Sequence, residues 1–399
     1  MTGRSPSTDR PGRDNGYMHI VHVTSFLTAA SVLPSSAVRS RGLAYRAAGH
    51  EFSVIIPGND ATVSWTEYGT VVTVPSRGRA LSRGLVAVAK RIRHALEKLA
   101  PDQIEVADRL SAYELGTWAR QNRVPAIRIV ESTAGEPSSN DNPRGFDRVV
   151  RASPSTPEVA ALSTLFGTSS TGIDDATRTS RSVLQPLLLP TGVNLEIFTP
   201  LRHNSSLRDS SDADVVIVCA TPLTSSGAPS VAIEIVRRRT AAGENVHLLV
   251  VGDGPLEGRL KRSARGLPVQ FLSARDLELT ERAELLATAD MTLVTIGNAE
   301  GHAVALESLA AGTPIVVTDT CTPSIDLIDG GGLFATTEFV DIERAMRTIA
   351  CTPVENRRTA ARATAIPYDS AASEQVLLAL HERLYAAGAE GCSTEPPRK

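Results

Sequence analysis

The first regular pattern along the chain is HIVHVTSF (19–26), where apolar positions end in a Ser/Thr pair and predict a short strand. In SSAVRSRGLAYRAAGH (35–50) the apolar positions return at helical spacing, with Ser35 or Ser36 as cap and Gly49 as stop. EFSVIIPG (51–58) is strand-like again, so the unit reads as a right-handed crossover between parallel strands. The alternation continues with a strand at 69–75, a helix at 84–102, a strand at 103–108, a helix at 113–124 and a strand at 126–132. A Ser/Pro/Asn/Gly-rich loop begins at Thr133 and leads to one more strand at 146–153. VLQPLLLPTGVNLEIFTP (183–200), an apolar run broken by prolines, reads as a linker. A second series then places strands at 214–220, 246–255, 269–274, 291–297, 313–319 and 331–336. Helices at 230–243, 256–266, 280–290, after Ala299 and at 341–351 separate them. A final helix at 370–388 carries the stripe Val376, Leu377, Leu380, Leu384.

Two βα series joined by a proline-bearing linker predict an α/β fold of two facing doubly wound, Rossmann-like domains. The expected divisions are a disordered tail at 1–17, a first domain at 18–185, a second at 190–366 and a second disordered tail at 389–399, with 370–388 crossing back to the first domain. Ligands of such sheets sit beyond the carboxyl ends of the strands, so two facing domains enclose a cleft.

Composition narrows this only by exclusion. With 399 residues, 42% hydrophobic and 21% charged, the chain is ordinary globular protein, and a net charge of −3 gives no footprint for nucleic acid. Cys219, Cys321, Cys351 and Cys392 are scattered without CxxC spacing, which argues against a metal site or a disulfide framework. No run of eighteen apolar residues occurs, and the polar start lacks a secretory apolar core. Cytoplasmic location is the expectation.

The densest candidate chemistry is AEGHAVALESLAAGTPIVV (299–317), a loop feeding a helix that stops at Gly312. A helix start offers free N–H groups and a positive dipole end, which suit an anion. Gly301 would let a phosphate come close to the chain, with Gly301, His302, Ala303 and Val304 forming the first turn. Glu307 is placed to take vicinal hydroxyls such as those of a ribose, and Glu300 to take sugar hydroxyls. The plainer account has Glu300 serving the helix dipole and Glu307 solvated. VVGDGPL (250–256) is not a GxGxxG fingerprint; Gly252 reads first as a tight turn permitting positive φ.

Taken in order, LPTGVNLEIFTP, VHLLVVGDGPLEGRL, LPVQFLSA with ELLATADMTLV, and EGHAVALESLAAGTPIVV resemble the family 4 retaining glycosyltransferases of the GT-B fold. PDQIEVADRLSAYELGTWARQNRVPAI most resembles their GDP-mannose-dependent, phosphatidylinositol mannosyltransferase-like actinobacterial branch. The resemblance covers nearly all of 18–388. It implies a donor site in the second domain, an acceptor site in the first, and no metal or other cofactor.

Departures fall on the chemistry. The family's paired carboxylates are separated by seven residues, whereas six separate Glu300 and Glu307. Thr221 and Ser226 stand where the resemblance implies the Arg and Lys that bind the donor diphosphate. Val32 and Leu33 replace a Gly-Gly loop, and Val130 replaces a His. Loss of one preorganised donor costs roughly 10²–10³ in rate, and neutral hydroxyls are about half as strong as cations. His302 could restore one charge.

The reading is a glycosyltransferase that moves a hexose, mannose favoured, from a GDP- or UDP-linked sugar to a small or lipid-like acceptor with retention. Glu300 and His302 are the catalytic candidates. Glu300, Gly301, His302, Ala303, Val304, Glu307, Gly252, Thr221 and Ser226 are the donor-binding candidates. The alternatives are an inactive homologue that regulates a partner transferase, and a changed nucleotide-sugar chemistry. The basic face of VAKRIRHALEKL could graze anionic lipid, or be a solvated helix face.

Overall fold

In the computed structural model the described residues are 16–24, 35–75, 82–108, 111–131, 145–153, 187–190, 192–297, 299–318, 328 and 330–392. The first half holds strands β1 (His19–Val23), β2 (Glu51–Gly58), β3 (Thr62–Thr66), β4 (Gly69–Pro75), β5 (Gln103–Val106), β6 (Ala126–Glu131), β7 (Arg148–Ser153) and β8 (Leu187–Pro190). Helices α1 (Ser36–Ala47), α2 (Ser82–Leu99) and α3 (Ala112–Asn122) connect them. They form one sheet of order β3-β4-β2-β1-β5-β6-β7-β8, parallel except for the β3–β4 hairpin. Two of these strands differ from the sequence expectation. β3 was not expected, because Thr62–Thr66 is a short edge strand whose two apolar residues, Val63 and Trp65, stay exposed. The expected linker contributes β8 instead, pairing Leu187–Pro190 with β7, so the first sheet runs past residue 185.

The second half begins with the short helix α4 (Ser205–Ser210). It continues with β9 (Val215–Ala220), α5 (Pro229–Ala241), β10 (Val246–Val251), α6 (Glu257–Ser263), β11 (Val269–Leu272), α7 (Leu279–Thr288) and β12 (Met291–Val294). Then come α8 (Ala299–Ala310), β13 (Ile315–Thr318), β14 (Gly332–Ala335), α9 (Phe339–Cys351) and α10 (Val354–Ala365). This sheet is all parallel, of order β11-β10-β9-β12-β13-β14. That is the doubly wound order 3-2-1-4-5-6, whose direction reverses between β9 and β12. Both faces of each sheet are covered by apolar clusters, as parallel sheets require.

The last helix, α11 (Ala371–Cys392), buries Leu377 and Leu380 against the α1 side of the first sheet. A polar knot fixes it there. Glu105 on β5 is fully buried and its two oxygens are reached by four groups. Arg41 Nη1 donates to Oε2 at 2.9 Å and Tyr45 Oη to Oε1 at 2.8 Å. His22 Nδ1 lies 2.7 Å from Oε2, and His381 Nε2, from α11, 2.9 Å from Oε1. Burial alone would raise the Glu105 carboxyl, but Arg41, His22 and His381 outweigh it and hold it well below the usual range. Gln103 completes the tie, its amide donating to the His381 carbonyl at 2.6 Å.

The chain crosses between halves twice, and the crossings are zipped together. Val193 N–H donates to Tyr368 O at 2.8 Å, and Ser370 N–H to Val193 O at 2.9 Å. Beside them Ser40 of α1 donates to Glu374 at 2.8 Å and accepts from Asn194 at 3.0 Å. Further out, Arg39 donates to Leu277 O at 3.1 Å, so α1 touches the loop that starts α7.

Candidate active site

Winding places the candidate residues. The crevice of the second sheet lies between the loops after β9 and β12, where the chain order reverses. Thr221, Ser226 and α8 stand there, with Gly252 at the end of neighbouring β10. The two loops are tied to each other: the hydroxyls of Thr221 and Thr295 both donate to Gly227 O, at 2.9 and 2.6 Å.

The expectation that Thr221 stands in as a donor is overturned. Thr221 is buried and its hydroxyl proton is already used on Gly227. Ser226 is exposed, 3.0 Å from the Thr224 hydroxyl, and remains the reachable one of the two. The plain reading of Gly252 needs a different reason. It is not among the residues with positive φ, nor is Gly254. A Cβ at Gly252 would collide with Thr221 O, and one at Gly254 would lie 2.5 Å from Leu223 O. These glycines let the ends of β9 and β10 lie backbone to backbone.

Helix α8 starts hard against β12. A Cβ at Gly301 would collide with Ile296 O, so the glycine is required by the protein's own backbone rather than by an approaching phosphate. Val304, Ala305, Leu306 and Leu309 bury the underside of the helix. It ends in a Schellman pattern, with Gly312 at φ +76° and N–H bonds from Gly312 to Leu309 O and from Thr313 to Ser308 O. Its first turn, with Glu300, Gly301, His302 and Ala303, opens at the crevice.

His302 does not supply the missing charge. Burial pushes its imidazole down to about 4, so the ring is neutral near pH 7. Its Nε2 is sealed without a hydrogen-bond partner, and its ring meets Tyr368 edge-on at 6.5 Å between centroids. Glu307, expected either on a ribose or in solvent, is 2% exposed and pairs with Arg282 of α7, Nε to Oε2 at 2.7 Å. Among the described residues no other donor is placed on Glu307.

Sequence reasoning missed Arg282. Its spacing within TERAELLATAD is that of any surface arginine, and only the packing of α7 on α8 reveals the partner. It also missed Asp253, which accepts from the Ser273 hydroxyl at 2.9 Å and the Arg275 N–H at 3.2 Å. Val130 is half-buried in β6 opposite Arg151. Val32 and Leu33 lie outside the described residues. Among the described residues no group of three or more His, Cys, Asp or Glu could hold a metal ion, and no helix is long and apolar enough to cross a membrane.

Two doubly wound sheets joined by zipped crossings, with the candidate residues at the switch point of the second, define a two-lobed transferase of the GT-B type. Comparison with known proteins agrees. The family model described as "Glycosyl transferases group 1" matches residues 214–350. The GDP-mannose-dependent alpha-(1-6)-phosphatidylinositol dimannoside mannosyltransferase of Mycobacterium tuberculosis is 30% identical over 352 residues, covering 86% of this chain and 91% of the relative. Among solved structures, sucrose-phosphate synthase from Thermosynechococcus elongatus superposes with TM-score 0.61 at 18% identity, over 93% of this chain and 100% of that one. Anabaena HepE in complex with UDP and glucose gives TM-score 0.55 at 14% identity, over 95% and 100%. The chain belongs to the group 1 glycosyltransferases and is a glycosyltransferase enzyme.

Proposed function

We propose that the protein transfers mannose from GDP-mannose to a lipid-like acceptor, with the anomeric configuration retained, on the cytoplasmic side. The observation that carries this is the buried, half-satisfied Glu307 behind a helix start at the switch point of the second sheet. The name and full-length similarity of the mycobacterial relative support the choice of donor and acceptor class.

In this reading the donor diphosphate meets the first turn of α8, whose N–H groups and dipole face negative charge. Glu307 receives the ribose hydroxyls and Glu300 the sugar. The departing diphosphate gathers charge, and with no cation at positions 221 and 226 that charge is met by neutral donors, the first-turn N–H groups of α8 and the Ser226 hydroxyl. A slow enzyme follows, with the bound diphosphate itself serving as base for the incoming hydroxyl. No resident cofactor enters.

The test uses the full chain with radiolabelled GDP-mannose, and in parallel UDP-glucose, on vesicles containing phosphatidylinositol mannosides. Formation of a mannosylated lipid with an α-linkage by proton NMR is expected. Donor left intact, neither transferred nor hydrolysed, by folded protein would overturn the reading in favour of an inactive relative.

A further inference from the structure

We propose that Arg282 is the positioning residue of the donor site: it clamps one oxygen of Glu307 so that the other is presented to the vicinal hydroxyls of the donor ribose. This rests on the reading of the crevice as a nucleotide-sugar site. The clamp itself rests on observed geometry.

Arg282 approaches Glu307 through Nε alone, 2.7 Å from Oε2. An ionised carboxylate has about four acceptor positions. A forked guanidinium pair would use both oxygens. A single N–H on one oxygen leaves the other for a diol, which needs an acceptor within reach. A carboxylate taken out of water also needs a cation beside it, since alone it would neutralise itself. Arg282 is that cation, with its side chain 17% exposed against 3% for Glu307.

Both ends of the clamp are rigidly held. A capping box closes the start of α7: Glu278 N–H donates to Glu281 at 2.9 Å, one residue before Arg282. Leu279, Ala283 and Leu286 bury the helix in the second-lobe core. The Thr313 hydroxyl donates to Leu286 O at 2.6 Å, which ties α7 to the segment after α8. Next to Glu307, the Ser308 hydroxyl donates to Thr292 at 2.8 Å and so fixes α8 on β12. The two helix backbones that carry the partners are therefore fixed on each other and on β12, which is the preorganisation a hydroxyl-reading carboxylate needs.

A pair that merely fastened two helices would change stability, or the affinity for every nucleotide alike. A pair that aims Glu307 at the ribose changes discrimination between ribose and deoxyribose. The experiment is therefore calorimetry of the full chain with GDP and 2′-deoxy-GDP, and with the UDP pair in parallel. Wild-type protein is expected to prefer the ribonucleotide by about tenfold to a hundredfold, the weight of a hydrogen bond to a charged group. Arg282→Met should collapse that ratio towards one, with KM for the donor rising more than kcat falls. Arg282→Lys keeps the charge but loses the Nε direction, so it should fold and show a partial collapse even where the Met variant does not fold. Weaker binding of both nucleotides with the ratio unchanged would overturn the role of Arg282. Equal wild-type affinity for ribo and deoxy forms would do the same. Absence of nucleotide binding in folded wild-type protein would remove the donor-site reading underneath, a distinct failure.

Discussion

The two halves of the molecule each bury a carboxylate, and the two are treated in opposite ways. Glu105 in the first lobe has four neighbours on its two oxygens, from β1, α1 and α11. Glu307 in the second lobe has one, from α7. A saturated carboxylate has no acceptor capacity left, so it can only hold elements together; here it holds the last helix onto the first sheet. A carboxylate with spare capacity at a sheet switch point is placed to receive hydroxyls. Burial is nearly the same at the two sites, so burial alone does not separate structure from function. The hydrogen-bond count does.

The largest expected effect comes from breaking the saturated site. Glu105→Gln leaves Arg41 in the interior without its counter-charge and takes one acceptor oxygen from the groups gathered on it. Losing one partner of a buried charge network costs about 3–5 kcal/mol. Urea unfolding should show that loss, while nucleotide affinity of the remaining folded fraction stays within a factor of two or so. The sign of the pH effect follows from the carboxyl being held below its usual range. Its contribution is complete above the unfolded value of roughly 4.3 and is lost as pH falls through the folded value. Wild-type protein should therefore lose stability on the acid side, and Glu105→Gln should lack that part of the slope. An unchanged acid limb in the variant would mean that the knot carries little of the stability.

Glu307→Gln should give the reverse profile. Arg282 and Arg41 have nearly the same access to water, but Glu307 carries one partner where Glu105 carries four, so its replacement strands fewer groups. The melting temperature should fall less than for Glu105→Gln, while donor affinity falls about tenfold to a hundredfold. If the two variants showed the same ratio of stability loss to affinity loss, the contrast between the carboxylates would be void.

How much of this was legible in the sequence follows the same divide. The parallel series was readable because β2, β9 and β10 are continuous apolar runs and their helices carry stripes. The hairpin strand β3 was not, because exposed Val63 and Trp65 carry no burial signal. The strand Leu187–Pro190 was hidden by its proline, which an edge position tolerates. Helix α10 went unnoticed because VENRRTAARATA buries only Ala361 and Ala365, too faint an apolar stripe to read. At the site, Glu300 and Gly301 could be placed on the helix start from spacing alone. The partner of Glu307 could not, since it is 25 residues away on another helix. Gly301 was read for the wrong neighbour and Gly252 for a positive φ it does not have, because a sequence shows that a Cβ is missing and not what fills the space.

A smaller effect is expected where the lobes meet. Burial, and then the neighbouring Glu278 carboxylate, raise the Glu67 carboxyl in the turn between β3 and β4. Glu278 belongs to the second lobe, so a proton there helps bridge the halves. Arg39 sits 3.5 Å from Glu278 and offsets part of the repulsion, with Tyr68 under its guanidinium and Arg46 on the Glu67 carbonyl. A raised acid binds its proton more tightly where Glu67 meets Glu278, so that contact between the lobes is favoured at low pH and weakens as pH rises through the raised value. Small-angle scattering from pH 4 to 7 should show a slight expansion, and Glu67→Gln, which keeps a donor towards Glu278 at every pH, should flatten it. An equal expansion in the variant would assign the change to other groups.

The smallest effect belongs to His302, the residue that chemistry on paper made most attractive. Neutral, with Nε2 sealed and the ring against Tyr368, it contributes packing rather than charge. His302→Phe keeps a ring for Tyr368 and removes both nitrogens. Donor affinity at pH 7 should then change by less than about threefold, under 1 kcal/mol, the scale of a single neutral hydrogen bond. A histidine that became charged on donor binding would behave differently. Its affinity contribution would grow as pH fell from the bound-state value towards about 4, and the variant would lose that slope. Calorimetry between pH 5 and 8 separates the two cases: parallel wild-type and variant curves leave Glu307 and Arg282 as the charged pair of the site, whereas a slope confined to the wild type would restore His302 as a phosphate ligand.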